Sequence, residues 1–165
     1  DLDCQDPDLL AKAYRQGTPM GGVLKRQESN QEPAFLVSAS ADPAAGLLQR
    51  IQIIKSWVDA QGNTHQAIHD VAGDPDNGAR VDPDSCAVSG SGFKQLCASW
   101  KDPDFDPQTA ASYYSRVLEN PSCRWSRWDC IRLPEADRPA SCEDAEIPWQ
   151  VQERAWTSPI WYYPE

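Results

Sequence analysis

Residues 48–73 read LQRIQIIKSWVDAQGNTHQAIHDVAG. The stretch predicts two β-strands around a tight turn. The first arm, Arg50 to Val58, is rich in Ile, Val and Trp and holds no Gly or Pro. Asp59-Ala60-Gln61-Gly62-Asn63 makes the turn, with Gly62 free to take a positive φ. The second arm, Thr64 to Val71, alternates: Thr64, Gln66, Ile68 and Asp70 on one face, His65, Ala67, His69 and Val71 on the other. No other segment has so many β-formers on both sides of a turn. The hairpin is therefore expected at the centre of the sheet.

Working outward, Pro33 to Ser40 (PAFLVSAS) is a short apolar run that reads as a strand, and residues 42–46 (DPAAG) are a turn. Gln95 to Lys101 alternates with Leu96, Ala98 and Trp100 on one face. Ala110 to Glu119 (AASYYSRVLE) carries good helix formers, but its double Tyr and Pro121 favour a strand. Gln150 to Tyr163 reads as a strand broken at Pro159, which belongs at an edge or bulge. Near the N-terminus, Leu9, Leu10, Ala13 and Tyr14 form a helical stripe. Asp6 or Asp8 suits its cap, Pro7 its first turn and Gly17 its end. Residues 25–32 (KRQESNQE) are expected to be polar and exposed. Residues 72–92 form a Gly/Asp/Pro/Ser loop long enough to be either functional or stapled. Residues 120–148 read as irregular.

Together these segments predict a mainly β fold. It is an Ig-like or fibronectin-like β-sandwich with long disulfide-stapled loops and a short N-terminal helix. Residues 106–114 resemble the approach to strand F of such domains, where a Tyr hydroxyl bonds back to the backbone at the corner. The division is 1–32, an N-terminal helix and loop belonging to the end of an upstream domain, and 33–165, the sandwich.

The 165 residues suffice for one core. The formal net charge of −10 argues against nucleic acid and anionic membranes as partners. No apolar run approaches the roughly 20 residues that cross a bilayer. The chain opens Asp-Leu-Asp-Cys, without Met or leader, the start expected of a processed or excised chain. Six cysteines, at 4, 86, 97, 123, 130 and 142, with no C-x-x-C pair, favour disulfides over zinc and place the chain in a secreted or periplasmic compartment. Six cysteines allow 15 pairings. Local spacing favours Cys86–Cys97 and Cys123–Cys130; Cys4–Cys142 follows only by elimination.

Candidate chemistry is sparse. Asp102, Asp104 and Asp106 have the spacing of a calcium loop, and Asp74, Asp76 and Asn77 are similar, but no Gly or Glu follows at the expected places. Asp-Pro, which occurs six times, is equally a turn opener. His65 and His69 would sit on one strand face about 13 Å apart, and the expectation is a solvent-facing pair, not a metal site. Gly21-Gly22 lacks the Lys and Ser/Thr of a phosphate loop. There is no G-x-S-x-G, and no carboxylate pair stands out as an acid and base, so no catalytic residue and no cofactor is assigned, calcium at Asp102, Asp104 and Asp106 being the single candidate. Among seven Trp, Trp125 and Trp128, interleaved with Arg124 and Arg127, are the candidate ligand contacts.

GTPMGG at 17–22, FLVSA at 35–39, LQRIQIIKSWVDAQGNTH at 48–65, DPDFDP at 102–107, YYSRVLENPSCRWS at 113–126 and QERAWTSPIWY at 152–162 resemble, in order, the C-terminal part of a bacterial family. It is known only as domain-of-unknown-function family 3604. The resemblance implies a large exported parent whose upstream part is similar to the PHP (polymerase and histidinol phosphatase) metal-dependent phosphoesterase fold. It implies that this chain is the C-terminal portion, lacking the His-x-His metal signature. Members tend to have an aromatic residue where His69 stands, which argues further against metal there. The expected role is a non-catalytic sandwich supporting the upstream part of the same polypeptide. The alternative is a Trp-lined module for a glycan or other extracellular ligand. Solvent exposure of Trp125 and Trp128 separates the two.

Overall fold

The computed structural model describes residues 3–24 and 31–164; most of the polar stretch at 25–32 lies outside the described residues. The hairpin forms as expected. Strands β3 (Leu48–Val58) and β4 (Thr64–Gly73) pair antiparallel, and Gly62 in the turn has φ 86°. To name these two, the shorter elements before them are α1 (Leu9–Gln16), β1 (Val23–Leu24) and β2 (Ala34–Ser40). After them come β5 (Arg80–Val81), β6 (Val88–Ser89), β7 (Gln95–Lys101), β8 (Ala111–Glu119), β9 (Ser122–Cys123), helix α2 (Trp125–Arg132), β10 (Gln150–Val151), β11 (Arg154–Trp156) and β12 (Ile160–Tyr162).

The main sheet has the order β1-β12-β8-β3-β4, so β8, not the hairpin, is its centre; β3 is an inner strand and β4 an edge. All its pairings are antiparallel except β1 with β12. β11 and β12 both pair with β8, β11 opposite Arg116–Leu118 and β12 opposite Ala111–Tyr113. The C-terminal strand is thus broken around Pro159, as its ring requires. The second layer is an antiparallel ribbon of β2 and β7. The order β4-β3-β8-β12 matches the C′-C-F-G sheet of the Ig plan, and β2-β7 its B-E pair.

Alternation decides which side chains meet. Ile51, Ile53, Ala111, Tyr113 and Tyr162 from the main sheet face Phe35 and Val37 of β2 and Leu96 of β7, and all are buried in one cluster. Phe35 lies 4.5 Å from the Tyr113 ring and 6.0 Å from that of Trp100. Burying side chains of this size contributes about 1.5–3 kcal/mol each. The opposite face of β3 carries Gln52, Ile54 and Ser56, of which Gln52 and Ile54 are also buried.

All six cysteines are bonded, but with other partners than their local spacing suggests. The pairs are Cys4–Cys97, Cys86–Cys123 and Cys130–Cys142. Cys86–Cys123 ties the loop after β5 to β9 and sits in a second small core with Val81, packed by Ile131 and Trp149. Cys97 is on the face of β7 turned away from the core, so its bridge to Cys4 straps the N-terminal segment over the outside of the ribbon. Only Cys130–Cys142 is local, closing α2 onto the turn at Ala140–Cys142.

Three further expectations are corrected. Residues 125–132 are helical, not irregular. The corner Tyr is also different: Tyr113 donates its hydroxyl to the Asp102 carboxylate at 2.7 Å, whereas Tyr162 donates to the Pro107 carbonyl at 2.9 Å. The long loop after β4 is not wholly irregular either, since β5 and β6 form a small hairpin within it.

Candidate functional site

Lys55 breaks the apolar pattern of β3. It lies in register with Ile51, Ile53 and Trp57, on the face turned to the core. Its ammonium meets Asp102 Oδ2 at 2.6 Å and donates to the Asp104 carbonyl at 2.7 Å. The Asp102 side chain is fully buried and that of Lys55 is 8% exposed. Asp102 also accepts the Tyr113 hydroxyl and, at 3.0 Å, the Asp104 N–H. Burial pushes the Tyr113 phenol well above its ordinary range, reinforced by the Asp102 hydrogen bond and charge, so Tyr113 is a neutral donor. The ammonium also lies 5.2 Å from the Trp57 ring centroid. Beside it opens a small cavity of about 140 Å³, bordered by Trp57, His69, Asp106 and Thr109. The pair locks the 102–107 loop to β3. Its carboxylate is charge-paired and enclosed, which suits neither a general base nor a nucleophile.

The calcium spacing resolves into turns. Asp102 is spent on Lys55 and Tyr113. The Asp106 carboxylate accepts the Gln108 N–H and the Thr109 hydroxyl. Asp74 accepts the Asp76 N–H, and Asn77 bonds Ser91, Ala79 and Asn120. Among the described residues no three His, Cys, Asp or Glu side chains converge as metal ligands. Hydrogen bonds from Gln108 and Thr109 hold the Asp106 carboxyl below the usual carboxylate range.

His65 and His69 do share a face, the one turned to the ribbon, where His65 is still solvent-exposed as expected and His69 is half-buried. His65 stacks on Trp57 with centroids 5.2 Å apart and meets Asp59 Oδ2 at 2.7 Å; His69 packs on Trp100 at 4.8 Å. The hydrogen bond from His65, with those from Asn63, holds the Asp59 carboxyl far below its ordinary range. The Gly21 and Gly22 N–H groups bond the Pro159 and Pro19 carbonyls, so they form no anion cradle.

Trp125 and Trp128 of α2 are solvent-exposed, Trp125 at 75%. The expected arginine interleaving is replaced by one pair, Arg132 over Trp128 at 5.4 Å. Arg127 instead donates to the Pro83 carbonyl.

A larger groove of about 600 Å³ runs between α1, the turn at Gly17–Met20 and β2, floored by Tyr113, Ile160 and Tyr162. Leu10, Met20, Leu36 and Phe105 make its lining largely apolar. Among the described residues no strand pairs with the edge of β2 beside it. Sequence reasoning missed both this groove and Lys55. A charged residue in the inward register of an otherwise apolar strand was the available signal for Lys55. The groove depends on where Cys4 is tethered, which no local pattern encodes.

The fold and its bridges define a disulfide-stapled, Ig-like β-sandwich with no assembled catalytic cluster among the described residues. The chain belongs to the family described as "Protein of unknown function (DUF3604)", whose model matches residues 1–164. No curated protein and no solved structure matches the chain. Three disulfides fit an oxidising compartment. Among the described residues no helix is long and apolar enough to cross a membrane.

Proposed function

We propose that this chain is the non-catalytic, accessory β-sandwich of a secreted or periplasmic PHP-like metal-dependent hydrolase, and that it supports the catalytic part of that polypeptide. The observation that carries this reading is the apolar groove beside the edge of β2 that pairs with no strand among the described residues. An edge with free N–H and C=O groups next to apolar pockets takes up an extended segment by strand addition. In the Ig plan that edge belongs to the first strand. A segment from the upstream part fills the same place here. The locked Lys55–Asp102 pair supports a structural role for the core beneath it.

The test is to express this chain and the upstream part separately, mix them, and measure association by sedimentation. A complex is expected, and Leu36→Glu in the groove wall should weaken it. Absence of association, or hydrolysis of p-nitrophenyl phosphate by this chain alone, would defeat the reading.

A second reading, a ligand-binding module, is favoured by the exposure of Trp125 and Trp128. Quenching of Trp fluorescence by a ligand, lost in Trp125→Ala, would support it.

A further inference from the structure

The outer face of the main sheet, away from the groove, carries a second set of exposed aromatics. Register places them. Trp156 lies opposite Arg116, and Trp161 opposite Ser112, both on β8. Arg116 and Ser112 pair in turn with Gln52 and Ser56 of β3, which are out of phase with the core residues Ile51 and Ile53. Trp156 and Trp161 therefore project from the same, outward face. Their partners on β8 are four steps apart, about 13 Å at the rise of an extended strand. Half-buried Tyr114 lies between them on β8, and Tyr163 continues the line. Trp156 is 58%, Trp161 41% and Tyr163 54% exposed. The Trp161 and Tyr163 rings are nearly parallel, at 7°.

Beside this aromatic line runs a polar strip on β3, β4 and β8. Arg116 donates to Gln52 Oε1 at 2.8 and 2.6 Å, Gln52 donates to Asp70 at 2.8 Å, and Arg50 pairs with Asp70 at 3.1 Å. The next row on this face is Ile54, Ile68 and Tyr114, and Ser56, Gln66 and Ser112 form the polar row after it. Asp70 offsets Arg50, which leaves Arg116 and, in phase with Trp156, Arg154 as local positive charges. The chain as a whole, at −10, repels polyanions, so an uncharged polymer fits the face better than a polyanion.

We propose that this face binds a neutral polysaccharide. Sugar rings present C–H groups on their faces and hydroxyls on their rims. The C–H faces pack on the negative faces of Trp156, Trp161 and Tyr163, and the hydroxyls reach the exposed Gln66 and the Ser and Arg groups of the adjoining rows. A line of aromatics about 13 Å long on a stiff sheet matches several consecutive rings of an extended chain better than it matches one small molecule. The face lies on the other side of the sheet from the groove, so this inference stands or falls independently of the accessory role.

The test is retention of the intact chain on insoluble cellulose, chitin, xylan and starch, and mobility shift in gels holding their soluble derivatives. Trp156→Ala and Trp161→Ala should each weaken retention on the order of tenfold, within reach of one lost stacking contact. Val88→Ala, an exposed apolar residue on β6 away from this face, should leave it unchanged. Because both substituted side chains are exposed, the urea midpoint should not move. Retention on none of the four polysaccharides would overturn the proposal, as would unaltered binding by both variants. So would a concentration-dependent dimer lost in Trp161→Ala without any glycan retained, which would make the face a contact between copies.

Discussion

Lys55 Nζ and Asp102 Oδ2 lie 2.6 Å apart in a site where the Asp102 side chain has no exposure. Forty-seven residues of chain are thereby clamped at one point of the core, where Tyr113 joins the same carboxylate. A buried ion pair is worth little against an apolar replacement of like volume, but removing one partner strands a charge. Lys55→Met and Asp102→Leu should each cost about 3–5 kcal/mol in urea unfolding, whereas the double variant should cost far less than their sum. Tyr113→Phe should cost about 1–3 kcal/mol. Additive single effects would contradict the pairing.

The three bridges close loops of very different length, with sequence separations of 93, 37 and 12. Chain-entropy reasoning then ranks the cost of removing them at about 4.6, 3.8 and 2.8 kcal/mol in that order. Replacing Cys4 and Cys97 by Ser should lower the melting temperature most, and replacing Cys130 and Cys142 least. Peptide mapping without reductant should recover fragments joined 4 to 97, 86 to 123 and 130 to 142. Any fragment joining Cys86 to Cys97 would refute the arrangement.

That pairing marks the boundary of what the chain discloses locally. The β3–β4 hairpin, β2, β7 and β8 are legible because alternation and turn residues act over a few positions. Asp59 and Gly62 alone set the hairpin turn, and Pro159 alone forces the break between β11 and β12. The cysteine partners depend on which segments meet after the two layers close, so Cys4 finding Cys97 has no local signature. Helix α2 is hidden for another reason: residues 125–132 carry no apolar stripe, and the helix has no buried residue. The exposed Trp156 and Trp161 look like ordinary strand residues until the register with β8 shows that they share a face.

Gly73 and Gly62 both have positive φ, 87° and 86°, but their surroundings differ. A Cβ on Gly73 would fall 2.2 Å from the Gln49 carbonyl oxygen and 2.7 Å from Arg50 Cα, at the irregular end of the β3–β4 ladder. One on Gly62 would meet nothing within 4 Å. Gly62→Ala should therefore cost only the conformational penalty, about 1 kcal/mol. Gly73→Ala should cost several times as much, because backbone must move. Equal losses in urea unfolding would show that the close approach at Gly73 does not exist.

Acid should destabilise the fold, for a reason visible in its turns. Hydrogen bonds hold Asp6, Asp59, Asp82 and Asp106 below the usual carboxylate range, with Lys12, His65, Ser85 and Gln108 as the leading donors. A carboxylate whose folded pKa is depressed stabilises the fold above its unfolded value, about 3.9, and loses that contribution as pH falls through the folded value. Glu119 has the opposite sign. Burial, then Glu153 and Asp42, raise its pKa, so its ionisation opposes folding as pH rises from about 4.3 upward. Four groups against one make the urea midpoint fall between about pH 5 and pH 2. Asp59→Asn should flatten that descent, because its carboxyl is held by His65 and Asn63 together. Glu119→Gln should raise the midpoint near neutral pH and leave the acid limb almost unchanged. A midpoint that does not move over this range would mean that the Asp turns are not hydrogen-bonded as described.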